Sequence, residues 1–73
     1  MAETINADMG ANVWKVLVSA GDPVEPDTTV VVLESMKMEI PVLAECAGDV
    51  TAVHVKEGST VNAGDPLIDI EEP

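Results

Sequence analysis

Apolar and polar residues alternate along this chain in short runs, and the order of runs occurs twice. Residues 5–34, INADMGANVWKVLVSAGDPVEPDTTVVVLE, lie over residues 42–71, VLAECAGDVTAVHVKEGSTVNAGDPLIDIE, at a constant offset of 37 with no gap. Ala7/Ala44, Val13/Val50, Val16/Val53, Val18/Val55, Gly21/Gly58, Val24/Val61 and Glu34/Glu71 are identical. Ile5/Val42, Met9/Cys46, Val30/Leu67, Val31/Ile68 and Leu33/Ile70 keep apolar character. Valine-rich alternation of period two predicts strands. Each copy is expected to hold three, in the first copy near residues 4–9, 13–19 and 29–34. A G-[DS]-x-V turn follows the second strand both times, and Gly21 and Gly58 are predicted at φ > 0. Asp22, Asp27 and Asp65 read as turn formers rather than metal ligands.

Neither copy can bury its apolar face alone. Two copies facing each other can, as a flattened β-sandwich or barrel with an approximate two-fold axis. The link between them is only SMKMEIP, residues 35–41. The two-fold then sets Glu71 near Ile5, gathers the chain ends at the edge opposite the link, and leaves Lys37 at the extreme tip.

That link is unusual for a tight turn. LESMKMEIP contains none of the Gly, Asn or Asp that such turns favour, and Pro41 marks an edge or bulged position. Two readings of it are open. Met36 and Met38 could fold back onto the core beside a solvated lysine. Alternatively, Lys37 between two adaptable methionines is a handle that other proteins grip and modify.

With 73 residues the chain suits one domain, spanning 1–73 with an ordered core of about 5–71. A domain of this size buries only roughly 60% of its unfolded surface and leaves no room for a deep catalytic cleft. Three lysines face fourteen carboxylates, for a net charge of −11. That balance argues against nucleic acid and anionic membranes, and fits a partner with a basic face or simply a solvated surface. The lone Cys46 suits a reducing compartment. The N-terminus has no basic and apolar leader pattern, and no apolar run approaches the ~20 residues that span a bilayer. A cytoplasmic protein, monomeric by itself, is expected.

Other residues carry weaker signals. His54 is predicted on the outer face, opposite Leu17 in the repeat, with no second His or paired Cys to support a metal. Cys46 matches Met9 and reads as a small core residue. Trp14 matches Thr51, and a bulge after Val13 would leave the indole half exposed, with docking among its possible roles. The first three residues and the terminal IEEP are expected to fray.

ESMKMEIP, with the G-D-x-V and A-G-D-x-L turns on either side, resembles the biotinyl/lipoyl attachment domain family over residues 5 to 71. The resemblance implies two quasi-symmetric four-stranded sheets, the barrel-sandwich hybrid, with the attachment lysine on a hairpin tip. MKM is similar to the biotin-type signature, in which the central lysine, here Lys37, carries biotin in amide linkage. The lipoyl branch has an acidic residue before its lysine and a small one after it. This chain has Met36 and Met38 there, with Ser35 where the biotin motif usually has Ala. The chain lacks the thumb segment of some acetyl-CoA carboxylase carriers. It is similar to very small free-standing attachment proteins, and a carrier domain cut from a longer carboxylase subunit fits equally.

The implied role is that of a carrier, not an enzyme. A biotin protein ligase would acylate Lys37, and the arm would shuttle a carboxyl group between biotin carboxylase and carboxyltransferase sites. Met36 and Met38 would be gripped beside the arm, while Glu34, Ser35 and Glu39 would tune recognition or merely solubilise the tip. Two alternatives remain at this point: a lipoyl carrier, with lipoate on Lys37, and an unmodified acidic interaction module.

Overall fold

The computed structural model describes residues 2–72. Each copy of the repeat folds into four strands. The first copy holds β1 (Ala2–Asn6), β2 (Ala11–Val16), β3 (Pro23–Val24) and β4 (Thr29–Ser35). The second holds β5 (Met38–Leu43), β6 (Gly48–Val53), β7 (Thr60–Val61) and β8 (Pro66–Glu71). No helix forms among the described residues. The strands make two antiparallel sheets, ordered β1-β8-β6-β3 and β5-β4-β2-β7. Exchanging the two copies converts one order into the other. Each sheet therefore draws two strands from each copy, and the predicted two-fold is the organising element.

The registers repeat in the same way. Ile5 pairs with Ile68 and Val42 with Val31. Val13 pairs with Leu33 and Val50 with Ile70. The ladder of β2 on β4 shifts between Val13 and Lys15, which is the bulge expected at Trp14. An equivalent shift occurs between Val50 and Ala52. Val13, Val30, Val31, Leu33, Val50, Leu67, Ile68 and Ile70 form the tightly buried centre.

Main-chain bonds cross between the copies. Gly21 N donates to Val50 O, and Gly58 N to Val13 O. Ala7 bonds through N to Asp65 O and accepts from Gly64 N, while Ala44 bonds to Thr28 O and accepts from Asp27 N. Ala7 and Ala44 are thus buried clips onto the other copy's turns. Those turns share one device. Asp22 Oδ2 accepts from Ser19 N and Asp65 Oδ2 from Asn62 N, both at 2.8 Å. Thr28 and Ser59 hydroxyls do the same for Glu25 N and Lys56 N. Gly21 and Gly58 have φ of 98° and 92°, as expected, and Asp27 takes φ 72° where its mate is Gly64. Asp22 and Asp65 hold turns through their side chains and Asp27 through its backbone.

Two expectations need correction. The repeat pattern suggested three strands per copy, but β3 and β7 add a fourth that is only two residues long. The N-terminal residues and the acidic end were expected to fray. Instead Ala2 pairs with Glu71 and Glu3 with Ile70, because backbone pairing needs no apolar side chains. Met1 and Pro73 lie outside the described residues. The ordered strands thus run slightly beyond the expected 5–71.

On the outer face of the first sheet, Thr4 Oγ1 donates to Asp69 Oδ1 at 2.8 Å, and His54 Nε2 lies 2.9 Å from Asp69 Oδ2. The His54 bond, then the Thr4 bond, holds the Asp69 carboxyl below its ordinary range. A depressed native value means that ionised Asp69 favours the fold above the usual carboxylate range, and that this contribution vanishes as pH falls through the native value. Thr4→Val should therefore melt lower than the parent at neutral pH, and the gap should close as pH falls below the ordinary carboxylate range and Asp69 protonates in the native state. Thermal melts across that range test it, and a gap that persists in acid would refute the assignment.

Candidate functional site

The link between the copies is a β-hairpin with a two-residue loop. Ser35 pairs with Met38 across its base, leaving Met36 and Lys37 as the loop. Both have positive φ, 53° and 65°. That is the type I′ pattern, which matches the right-handed twist of paired strands and normally selects Asn and Gly. In L-residues with full side chains this backbone costs about 1–2 kcal/mol each. The paired strands on either side impose it, since the register of β4 on β5 leaves two residues to close the loop.

The consequence is exposure. Met36 is 91% and Met38 65% accessible, and Lys37 is exposed between them. The methionines do not fold back onto the core, which removes the first of the two readings. Among the described residues no carboxylate lies within ion-pair distance of the Lys37 amine. Pro41 lies on β5, an edge strand, where its missing N–H removes no inner ladder bond.

Behind the tip, Glu34 and Glu39 stand directly opposite each other, both exposed. Like charges in that position are destabilising. Glu34 also pairs with Asn12, and Asn12 with Thr60, so one row crosses four strands. Thr60 Oγ1 donates to Asn12 Oδ1 at 3.1 Å. With Asn62 and the flank of the hairpin, Glu34, Asn12 and Thr60 line a shallow groove beside Lys37. Neither Asn12 nor Thr60 was singled out from the sequence. Asn12 is placed there by the pairing of β2 with β4, and Thr60 by that of β2 with β7, a two-residue strand that leaves no pattern.

Other candidates lie elsewhere. His54 is on the outer face of the opposite sheet, as expected. Cys46 is half-buried, and desolvation, followed by the Glu72 and Glu3 carboxylates, pushes its thiol upward, so it is a poor nucleophile. No group of three or more metal-ligating side chains gathers among the described residues. The site is therefore a single exposed amine on a two-residue hairpin loop, with the Glu34 and Glu39 carboxylates behind it.

Residues 3–70 match the family described as Biotin-requiring enzyme, the biotin/lipoyl domain. The chain belongs to this family. The Biotin/lipoyl attachment protein of Bacillus subtilis is 49% identical over 67 residues, covering 92% of each chain. The Biotin carboxyl carrier protein of Streptococcus mutans is 49% identical over 69 residues, and the match spans 53% of that relative's length. The crystal structure of the Kluyveromyces lactis urea carboxylase superposes with a TM-score of 0.90 at 34% identity, over 97% of this chain and 6% of that one. The two four-stranded antiparallel sheets are those expected of a biotin/lipoyl domain.

Relief of the turn strain should be measurable. Asn tolerates positive φ better than Met, so Met36→Asn should stabilise the domain by about 0.5–1 kcal/mol. It would also remove an apolar side chain from the tip. Urea unfolding measures the gain, and an unchanged or lower midpoint would refute a strained loop.

Proposed function

We propose that this chain is a biotin carrier, with Lys37 as the attachment residue. One observation carries the reading: in a chain of the biotin-requiring family, a lysine flanked by two exposed methionines occupies the second position of a strained hairpin tip. The biotin carboxyl carrier relative supports the same role here. The residues fit the group, because the amine is exposed, unpaired and set off from the sheets.

Attachment needs the neutral amine, whose lone pair attacks the carbonyl carbon of an acyl-adenylate. A C–N bond forms, the acyl–phosphate bond breaks and AMP leaves. The tip offers no base, so the ammonium proton must pass to a group on the ligase. Met36 and Met38 give that enzyme an apolar grip, with Ser35 closing the loop beneath them, and Glu34 and Glu39 add a charge signal. Biotin, when bound, supplies a ureido nitrogen that accepts and releases a carboxyl group. The chain's own part is then tethering: the hairpin holds the arm clear of the sheets and raises its effective concentration at two active sites, biotin carboxylase and carboxyltransferase.

The remaining assignments belong to the same reading. The chain is one domain over 1–73, acts as a monomer served by a biotin protein ligase, and works in the cytoplasm, where a lone free cysteine stays reduced. The methionines on both sides of Lys37 favour biotin over lipoate, although the name of the Bacillus relative covers both groups. Intact-mass spectrometry of the protein from its own cells tests this. One biotinyl adduct on Lys37 is expected; a lipoyl adduct, or none, would overturn it.

A further inference from the structure

The pseudo-two-fold supplies an internal control for the outer faces of the two sheets. Positions related by the offset of 37 share backbone geometry, so a requirement of folding would appear in both copies. On the sheet that carries Lys37, Val32 lies on the outer face with Pro41 and Lys15 beside it in register. Leu17 follows β2 and bonds through N to Val30 O, and it is 52% exposed. Trp14, at the bulge, is 42% exposed, with Lys15 Nζ 5.2 Å from its ring centre.

On the other sheet the mates of Pro41, Val32 and Leu17 are Thr4, Asp69 and His54, which form the hydrogen-bonded polar row. The mate of Trp14 is Thr51, whose Oγ1 donates to Asp69 O at 3.4 Å. The same scaffold therefore accepts a largely polar face, in which the mate of Lys15 is Ala52. The apolar one is not needed to fold the domain, and contiguous exposed apolar surface marks an interaction site.

We infer that the outer face of the β5-β4-β2 sheet is the docking surface for the enzyme that carboxylates the Lys37-borne group, an inference that rests on the carrier reading. The partner is defined by charge. The Glu39–Glu34 row lies between this face and the tip, and Lys15 is its one cation, folded over Trp14. The net charge of −11 disfavours a second copy of the chain and an anionic bilayer. A protein face with an apolar patch for Trp14 and Leu17, bordered by Lys or Arg set over the Glu row, is complementary. Such docking engages the sheet that runs into the hairpin and so aims the arm.

The test converts the face into its twin with the double variant Trp14→Thr/Leu17→His. Parent and variant are fully biotinylated, checked by intact mass, and supplied with ATP and bicarbonate to the biotin carboxylase of the same cells. KM for the carrier should rise about tenfold or more with kcat retained, as for loss of an interface anchor. The rate on free biotin stays the same. Should the double variant fold poorly, Glu34→Gln/Glu39→Gln reads the same face: KM should rise at low salt, and the rise should disappear at high salt. An unchanged KM in a folded variant overturns the docking face. So does a parent dimer, seen by light scattering, that the substitution dissociates. A parent that takes up no biotin refutes the carrier reading instead.

Discussion

Lys37→Arg is expected to abolish biotin incorporation completely, with no label transferred to Lys15 or Lys56. The reason is chemical before it is structural. A guanidinium stays protonated in proteins, so it offers no lone pair to an acyl-adenylate. The substitution keeps the positive charge and a long side chain at an exposed tip position, and exposed substitutions of this kind stay within about 0.5 kcal/mol. A folded, unlabelled protein is therefore the expected product. The other two lysines are present in the same molecule but differ in setting. Lys15 lies over the Trp14 ring on the face of a sheet. Lys56 starts a turn whose third residue is Gly58 and whose own N bonds to Ser59. Neither stands between exposed methionines on a two-residue loop. Co-expression with a biotin protein ligase, followed by avidin binding, intact mass and a thermal melt, separates the possibilities. Label on the arginine variant would mean that the ligase reads something other than the tip.

Selection of Lys37 depends on shape, and much of that shape was legible in the chain. The offset of 37 works because core positions and turn residues repeat together, so Val13/Val50 and Gly21/Gly58 each confirm the other. The bulge at Trp14 followed from a parity conflict with Thr51, and the structure has it in both copies. The oddity of the Met36–Lys37 link was legible too, as a turn without turn residues. Its conformation was not, because local preference points away from positive φ, and only the pairing of β4 with β5 imposes it. Other losses share that cause. Pro23–Val24 and Thr60–Val61 are too short for any period to appear. Ala2 and Glu3 carry no apolar signal, yet their backbones pair with β8. Thr60 reaches the base of the tip only through that short strand, by pairing with Asn12. Information carried by side-chain pattern was readable; information carried by backbone pairing alone was not.

Leu67→Ala tests the other half of the claim, that an intact scaffold and not a short peptide presents the amine. Leu67 is fully buried, at the start of β8, where the β1 register skips a residue between Ile68 and Pro66. Its mate Val30 occupies the same place against β5. Truncation there leaves a cavity between two sheets held by bonds on every side, so little collapse is available, and a cost of about 3–4 kcal/mol is expected. A domain of this length has roughly 4–11 kcal/mol in total, so the loss removes a large share of it. At about 4–8 °C per kcal/mol, the melting temperature should fall by roughly 12–30 °C. The urea midpoint should fall with an unchanged slope, since the surface exposed on unfolding barely differs. Leu67 lies in the sheet that does not carry the hairpin, so the tip is untouched while the domain remains folded. Biotin acceptance should therefore match the parent well below the new melting point and collapse across it, whereas the arginine variant is silent at every temperature. If the alanine variant still accepts biotin when unfolded, the ligase reads a linear sequence and the strained hairpin is not what selects Lys37. If it melts within about 1 kcal/mol of the parent, the core around Leu67 is looser than its complete burial implies.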